Sequence, residues 1–173
     1  MSLGKIQVYT GCGKGKTTCA FGLAMRARGH KKSVLFVQFM KGSEDYGELE
    51  SSRVLGIKVM QFGRPSFVDP KNPDPVDVEL AKEGLSFLKK AATSGEWDII
   101  VADEINVAIY FGLISLEETR KMLLDKYSET EMVLTGRYAH QEIIEMADLV
   151  TEMKEIKHYF NTQNLEAREG IEY

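Results

Sequence analysis

The stretch Lys5-Ile-Gln-Val-Tyr-Thr-Gly-Cys-Gly-Lys-Gly-Lys-Thr-Thr18 decides how the rest of this chain is read. Lys5 to Thr10 alternates and is rich in β-formers, the pattern of a short strand. Gly11 to Lys16 is a turn of glycine and lysine. Beyond it Ala20, Leu23, Ala24 and Ala27 recur at helical spacing, with Arg28 in the last turn and Gly29 as a stop. Strand, glycine-rich turn and helix, in that order, are the setting of a phosphate-binding loop. Gly11, Gly13 and Gly15 allow the main chain to approach phosphate oxygens closely, and the loop amides with the positive helix end make an anion nest. Lys16 adds a point charge, and Thr17 offers a hydroxyl suited to Mg²⁺. Cys12, Lys14 and Thr18 complete the expected set of polyphosphate contacts. The match is a variant one, because the strict pattern has glycine where this chain has Thr10. The competing reading is a glycine-rich helix entry that holds no ligand. Cys12 lies beside the positive helix end, which favours a thiolate, but a small residue that fits the turn is the better explanation of it.

Outward from the loop, strands and helices alternate. Ser33 to Met40 is a mostly apolar run, as in a strand buried on both faces, and Ile57 to Phe62 reads as another strand. Gly63 to Pro75 holds all 4 prolines and reads as an ordered loop. Asp74 as N-cap and Pro75 at the first helical position open a helix to about Thr93. Asp98 to Asp103 is a buried strand that ends in acid, and Ser115-Leu-Glu-Glu118 is a capping box that starts a further helix. Glu131 to Thr135 reads as a strand, Gln141 to Ala147 as a helix, and Leu149 to Met153 as the last strand. The expected fold is α/β, with a mainly parallel sheet covered by helices on both faces in a P-loop NTPase (RecA-like) architecture. Residues 1–173 read as a single domain, with no internal repeat and no linker.

In an open α/β sheet, ligands sit beyond the carboxyl ends of the strands. That places Asp103 and Glu104 on the same rim as the loop, where one carboxylate can hold Mg²⁺ and the other orient it or act as a base. The plainer alternative is an acidic helix start. Thr135-Gly-Arg137 follows the next strand, and Arg137 either reaches the nucleotide or forms a surface ion pair.

Composition narrows the class. The chain is 43% hydrophobic and 28% charged, values of an ordinary folded domain, and carries a net charge of −4. An acidic balance gives no general attraction for a polyanion, so nucleic acid is not an expected partner. The only cysteines, Cys12 and Cys19, cannot close a zinc site or build a disulfide framework. Met1 to Lys5 shows no charged stretch before an apolar run, and the apolar runs are too short to span a bilayer. A cytoplasmic protein without a membrane segment is expected. His30, His140 and His158 lack metal-ligand spacing, and Trp97 reads as packing.

Several segments beyond the loop carry a resemblance. Gly13-Lys-Gly-Lys-Thr-Thr18 with Ala20-Phe-Gly22, Arg26-Ala-Arg-Gly-His-Lys31, Val37-Gln-Phe-Met-Lys-Gly42 and Val101-Ala-Asp-Glu104 are similar to the phosphate-loop ATP:corrinoid adenosyltransferases. So are Thr135-Gly-Arg137, Ala147-Asp-Leu-Val-Thr-Glu-Met153, Lys157-His158, Ala167-Arg168 and the run Gly170-Ile-Glu-Tyr173. The resemblance implies transfer of the 5′-deoxyadenosyl group of ATP to the Co(I) of a reduced corrinoid, leaving triphosphate. It implies Lys16, Thr17 and Glu104 as the catalytic residues and Thr17, Glu104 and Asp103 around Mg²⁺. Zinc and flavin are not implied as cofactors, although a reduced flavoprotein is implied as electron donor and a homodimer as the assembly. Lys14 and Lys41 either add positive charge or are solvated lysines.

Three departures stand out. Cys12 replaces an asparagine usual in the family, and an N-terminal extension that covers the site in some members is not expected here. The loop Gly63-Arg-Pro-Ser-Phe-Val-Asp69 lacks the expected tryptophan, which leaves Phe67, then Phe62, as the aromatic to contact the corrinoid, or else both as core. The rival classes are a P-loop ATPase or kinase of another substrate and a non-catalytic nucleotide switch or corrinoid carrier.

Overall fold

The computed structural model describes residues 3–43 and 45–173; Met1 and Ser2, the start of the segment read for a leader, lie outside them. The chain order is β1 (Ile6–Thr10), α1 (Lys16–Gly29), β2 (Val34–Phe39), α2 (Gly47–Leu55), β3 (Lys58–Phe62) and α3 (Pro75–Ser94). There follow β4 (Ile99–Asp103), α4 (Ile105–Tyr110), α5 (Leu116–Asp125), β5 (Glu131–Thr135), α6 (Gln141–Met146), β6 (Leu149–Glu152) and α7 (Tyr159–Gln163). The six strands form one sheet in the order β3-β2-β4-β5-β1-β6, and every pairing is parallel. Strand β5 thus stands between the loop-bearing β1 and the acid-ending β4, and the all-parallel sheet agrees with the P-loop NTPase-like α/β fold expected.

The apolar strands are explained by their two faces. Within β2, Leu35, Val37 and Phe39 pack with Leu85 and Leu88 of α3, while Val34 and Phe36 pack with Ala20 and Ala24 of α1. A strand read on both sides cannot alternate polar and apolar, so its run is continuous. Small alanines let α1 lie close to the sheet, and Phe21 stacks on Phe36 with ring centroids 3.9 Å apart. The edge strand β6 is the exception, with all four residues exposed.

Helix α3 starts where the sequence places it. The Asp74 side chain accepts from Val76 N, and Pro75 opens the first turn. Ser115 likewise accepts from Glu118 N at the start of α5. Three helices went unread. Helix α2 buries only Ser52, α7 buries nothing, and α4 is too short to show a period. Parallel connectivity brings the ends of β1, β2, β4 and β5 to one rim, which fixes where any site must form.

Leu88 lies fully buried at the centre of α3, whereas Phe67 is fully exposed. Leu88→Ala is expected to cost about 3 kcal/mol in urea denaturation, and Phe67→Ala less than about 0.5 kcal/mol.

Candidate functional site

The loop after β1 is shaped before any ligand arrives. Thr10 O accepts from Met153 N at 2.8 Å, and Gly13 N donates to Met153 O at 2.7 Å, so the residue after β6 holds the loop from two sides. A Cβ on Gly11 would sit 2.5 Å from that same carbonyl oxygen, and Gly11 has φ 93. Gly15, the N-cap of α1, has φ 115, a conformation that side chains disfavour. Lys16 is buried and folds back across the loop, donating to Gly11 O and Gly13 O at 2.8 Å each. Burial lowers its pKa, with the carboxylates of Glu104 and Asp103 acting the other way. Gly13 spends its amide on Met153, so it contributes shape. The amides of Lys14 through Thr18 have no acceptor among the described residues and form the open donor set of the helix start.

Asp103 closes β4 and is the best-held carboxylate of the rim. It has no exposed surface. Its Oδ1 accepts from Thr17 Oγ1 at 2.9 Å and Thr135 Oγ1 at 2.7 Å. Its Oδ2 accepts from Lys41 Nζ at 2.9 Å and Gln38 Nε2 at 3.2 Å. Burial on its own raises the Asp103 pKa; the Lys41 charge and these donors outweigh it, and the net direction is down. Lys41 shows the mirror image, with burial lowering and Asp103 raising it to a net increase. The pair is therefore ionised.

Glu104 differs in every respect. It adopts φ 62 as the N-cap of α4, and its amide donates to Thr135 Oγ1 at 3.0 Å. Its carboxylate has no hydrogen-bond or ion-pair partner among the described residues, and burial, then the neighbouring Asp103, raises its pKa. It is a carboxylate short of a cation, at the edge of the loop. Arg137 is exposed, makes no ion pair among the described residues, and lies near enough to act on both Lys16 and Glu104.

Beside the loop opens a cleft of about 740 Å³ lined by Gly15–Thr18, Glu104, residues of α1 and α2, Tyr46 and the segment Gly170–Tyr173. Lys14 is turned to that segment, donating to Glu172 Oε1 at 2.5 Å and to Ile171 O at 3.0 Å. Cys12 and Cys19 are both exposed. Phe62 packs into the core against Phe87, while Phe67 stands in solvent on its loop, apart from this cleft.

A metal would fit here if it were magnesium. Magnesium takes a hydroxyl, one or two carboxylates, water and phosphate oxygens, and Thr17 and Glu104 both line the cleft beside the loop. Thr17 gives its proton to Asp103, which leaves its lone pairs available, and Glu104 stands unpaired beside it.

The family model described as ATP:corrinoid adenosyltransferase BtuR/CobO/CobP matches residues 2–173. The chain belongs to the ATP:corrinoid adenosyltransferase family. The corrinoid adenosyltransferase of Escherichia coli K12 is 34% identical over 170 residues, covering 98% of this chain and 86% of that protein. The corrinoid adenosyltransferase CobA of Salmonella typhimurium is 33% identical over 170 residues, with the same coverage. The Sinorhizobium sp enzyme of that name is 36% identical over 173 residues, covering 98% of this chain and 80% of its own length.

For a member of this family, the rim contains residues whose place in the site the sequence leaves unassigned. Gln38 is a polar residue in the middle of the apolar run Val34–Phe39, and that break in pattern is a signal for a functional strand position. Thr135 and the cleft wall at Gly170–Tyr173 lie in segments that carry the family resemblance, which gave them no part in the site. Lys41, which the sequence left between a site charge and a surface lysine, is the counter-ion of Asp103.

Lys41→Met leaves Asp103 buried without its cation. The expected loss is about 3 kcal/mol by denaturant titration at neutral pH. Because the folded pKa of Asp103 is depressed, its stabilisation is present above the unfolded value and lost as pH falls, so the variant deficit shrinks in acid.

Proposed function

We propose that this chain transfers the 5′-deoxyadenosyl group of ATP to the Co(I) centre of a reduced corrinoid, cobalamin or a precursor, releasing inorganic triphosphate. The observation that carries the reading is the convergence, in a chain of this family, of open loop amides, Lys16 and an unpaired Glu104 on one rim. The cobalt lone pair forms the bond to C5′ as the C5′–O5′ bond breaks, and the electron pair leaves on triphosphate. The attacking atom belongs to the substrate, so the protein's work is positioning and charge stabilisation.

The amides of Lys14 to Thr18 receive the polyphosphate, with Gly11 and Gly13 shaping the loop, Gly15 setting the turn into the helix, and Cys12 lining it. Lys16 meets the charge that develops on the leaving group, and Arg137 adds a second cation from the next strand end. Thr17 and Glu104 are the proposed magnesium ligands. Asp103, saturated by four donors, serves by orienting the Thr17 hydroxyl. A magnesium ion held by Thr17 and Glu104 would supply charge neutralisation at the phosphate oxygens. Phe67, exposed on its loop, is the proposed corrinoid contact.

Residues 1–173 are taken as one P-loop adenosyltransferase domain of a cytoplasmic protein, acting as a homodimer with a reduced flavoprotein as electron donor; the resemblance in sequence is the ground for the dimer and the donor. No helix among the described residues is long and apolar enough to cross a membrane. The ATPase or kinase alternative draws no support from the relatives named above.

Lys16→Ala is expected to lower adenosylation by at least about 100-fold while the thermal transition stays in place. The check is the spectral conversion of Co(I) corrinoid to the adenosylated form with MgATP, together with triphosphate release. Near-normal turnover by the folded variant, or ADP as product, contradicts the assignment.

A further inference from the structure

The cleft wall at Gly170–Tyr173 reaches the phosphate loop through a compact charged cluster. Glu172 accepts from Lys14 Nζ, from the Tyr159 hydroxyl, from Arg168 N at 2.9 Å and from Arg168 Nε at 3.2 Å. The Arg168 guanidinium lies 4.9 Å from the Tyr159 ring centroid, and Lys14 Nζ lies 5.7 Å from it. The Glu172 carboxyl is driven far below the usual range, first by Arg168, then by Lys14 and Tyr159. Only 17% of its side chain is exposed.

The loop is therefore gripped at two places. Met153 holds the Thr10–Gly13 half by backbone bonds, and Glu172 holds the other half through the Lys14 side chain. Lys14 immediately precedes Gly15, whose left-handed turn aims the amides of the helix start. Anchoring the Lys14 side chain restrains the main chain where it enters that turn. The carboxylate also sits between two cations, Lys14 and Arg168, so the cluster as a whole stays positive and does not repel a polyphosphate.

We infer that Glu172 is a positioning residue of the nucleotide loop, acting through Lys14 to hold the helix-start amides in their phosphate-binding arrangement. This rests on the reading that the loop binds ATP. A shape-keeping substitution separates this role from simple charge. If Glu172 only added negative potential, Glu172→Gln would tighten polyphosphate binding; if it positions Lys14, the same change loosens it.

The test is calorimetry with MgATP in the absence of corrinoid, on wild type, Glu172→Gln, Lys14→Met and the double variant. Glu172→Gln and Lys14→Met are each expected to weaken binding about tenfold, the scale of one charge-assisted hydrogen bond, with the double variant no weaker than either. In turnover assays the KM for ATP rises while kcat at saturation changes less than about twofold, a split that general loss of structure does not give. Tyr159→Phe keeps the ring beneath Arg168 and removes one hydroxyl. It is expected to lose about threefold, and it stands in if Glu172→Gln does not fold. Unchanged or tighter binding by the variants, or additive losses in the double variant, overturns the inference. Wild-type protein that does not bind MgATP overturns the ATP reading itself, and this inference with it.

Discussion

One buried carboxylate organises the rim of this protein. Asp103 draws hydrogen bonds from the start of α1, from β2 and the residues just after it, and from the end of β5, so three separate connections meet at one point. A charge without exposed surface is tolerable only when paired and fully bonded, and Lys41 with three neutral donors meets that requirement. The phosphate loop, whose helix starts at Lys16, is thereby tied to the sheet through Thr17. Losing the pair disturbs the loop and the acid end of β4 together.

The same arrangement divides labour between adjacent acids. Asp103 has no bonding capacity left over, so its part is to orient the Thr17 hydroxyl. Glu104 has its main chain held in a left-handed turn and its carboxylate unpaired, which suits it to a cation that arrives with the nucleotide. The sequence places both on one rim, and the resemblance sets Glu104 apart as catalytic; the physical difference between them lies in partners contributed by β2 and β5.

What the sequence reveals follows from how local each cause is. The loop glycines, the Asp74–Pro75 helix start and the Ser115 cap depend on neighbours a few residues away, and the structure places them as read. The two-faced burial of β2 and β4 is visible as unbroken apolar runs. Helix α2 is invisible because it buries little more than Ser52, so no apolar stripe marks it. Residues Lys14 and Glu172 are 158 positions apart, and no local pattern could pair them. Lys41 and Gln38 meet Asp103 because β2 lies beside β4, a pairing that a linear reading cannot supply even where Gln38 breaks the apolar run. Phe67 was read as a corrinoid contact or core; its full exposure removes the second option and leaves the first as the proposal.

The central claim is that main-chain amides at the start of α1, together with Lys16, hold the triphosphate of ATP. A crystal structure of the protein grown with MgATP tests it directly. The account predicts phosphate oxygens within hydrogen-bond distance of the amides from Lys14 to Thr18, with magnesium bound by Thr17 and Glu104. A nucleotide lodged elsewhere, with those amides still facing solvent, would contradict it.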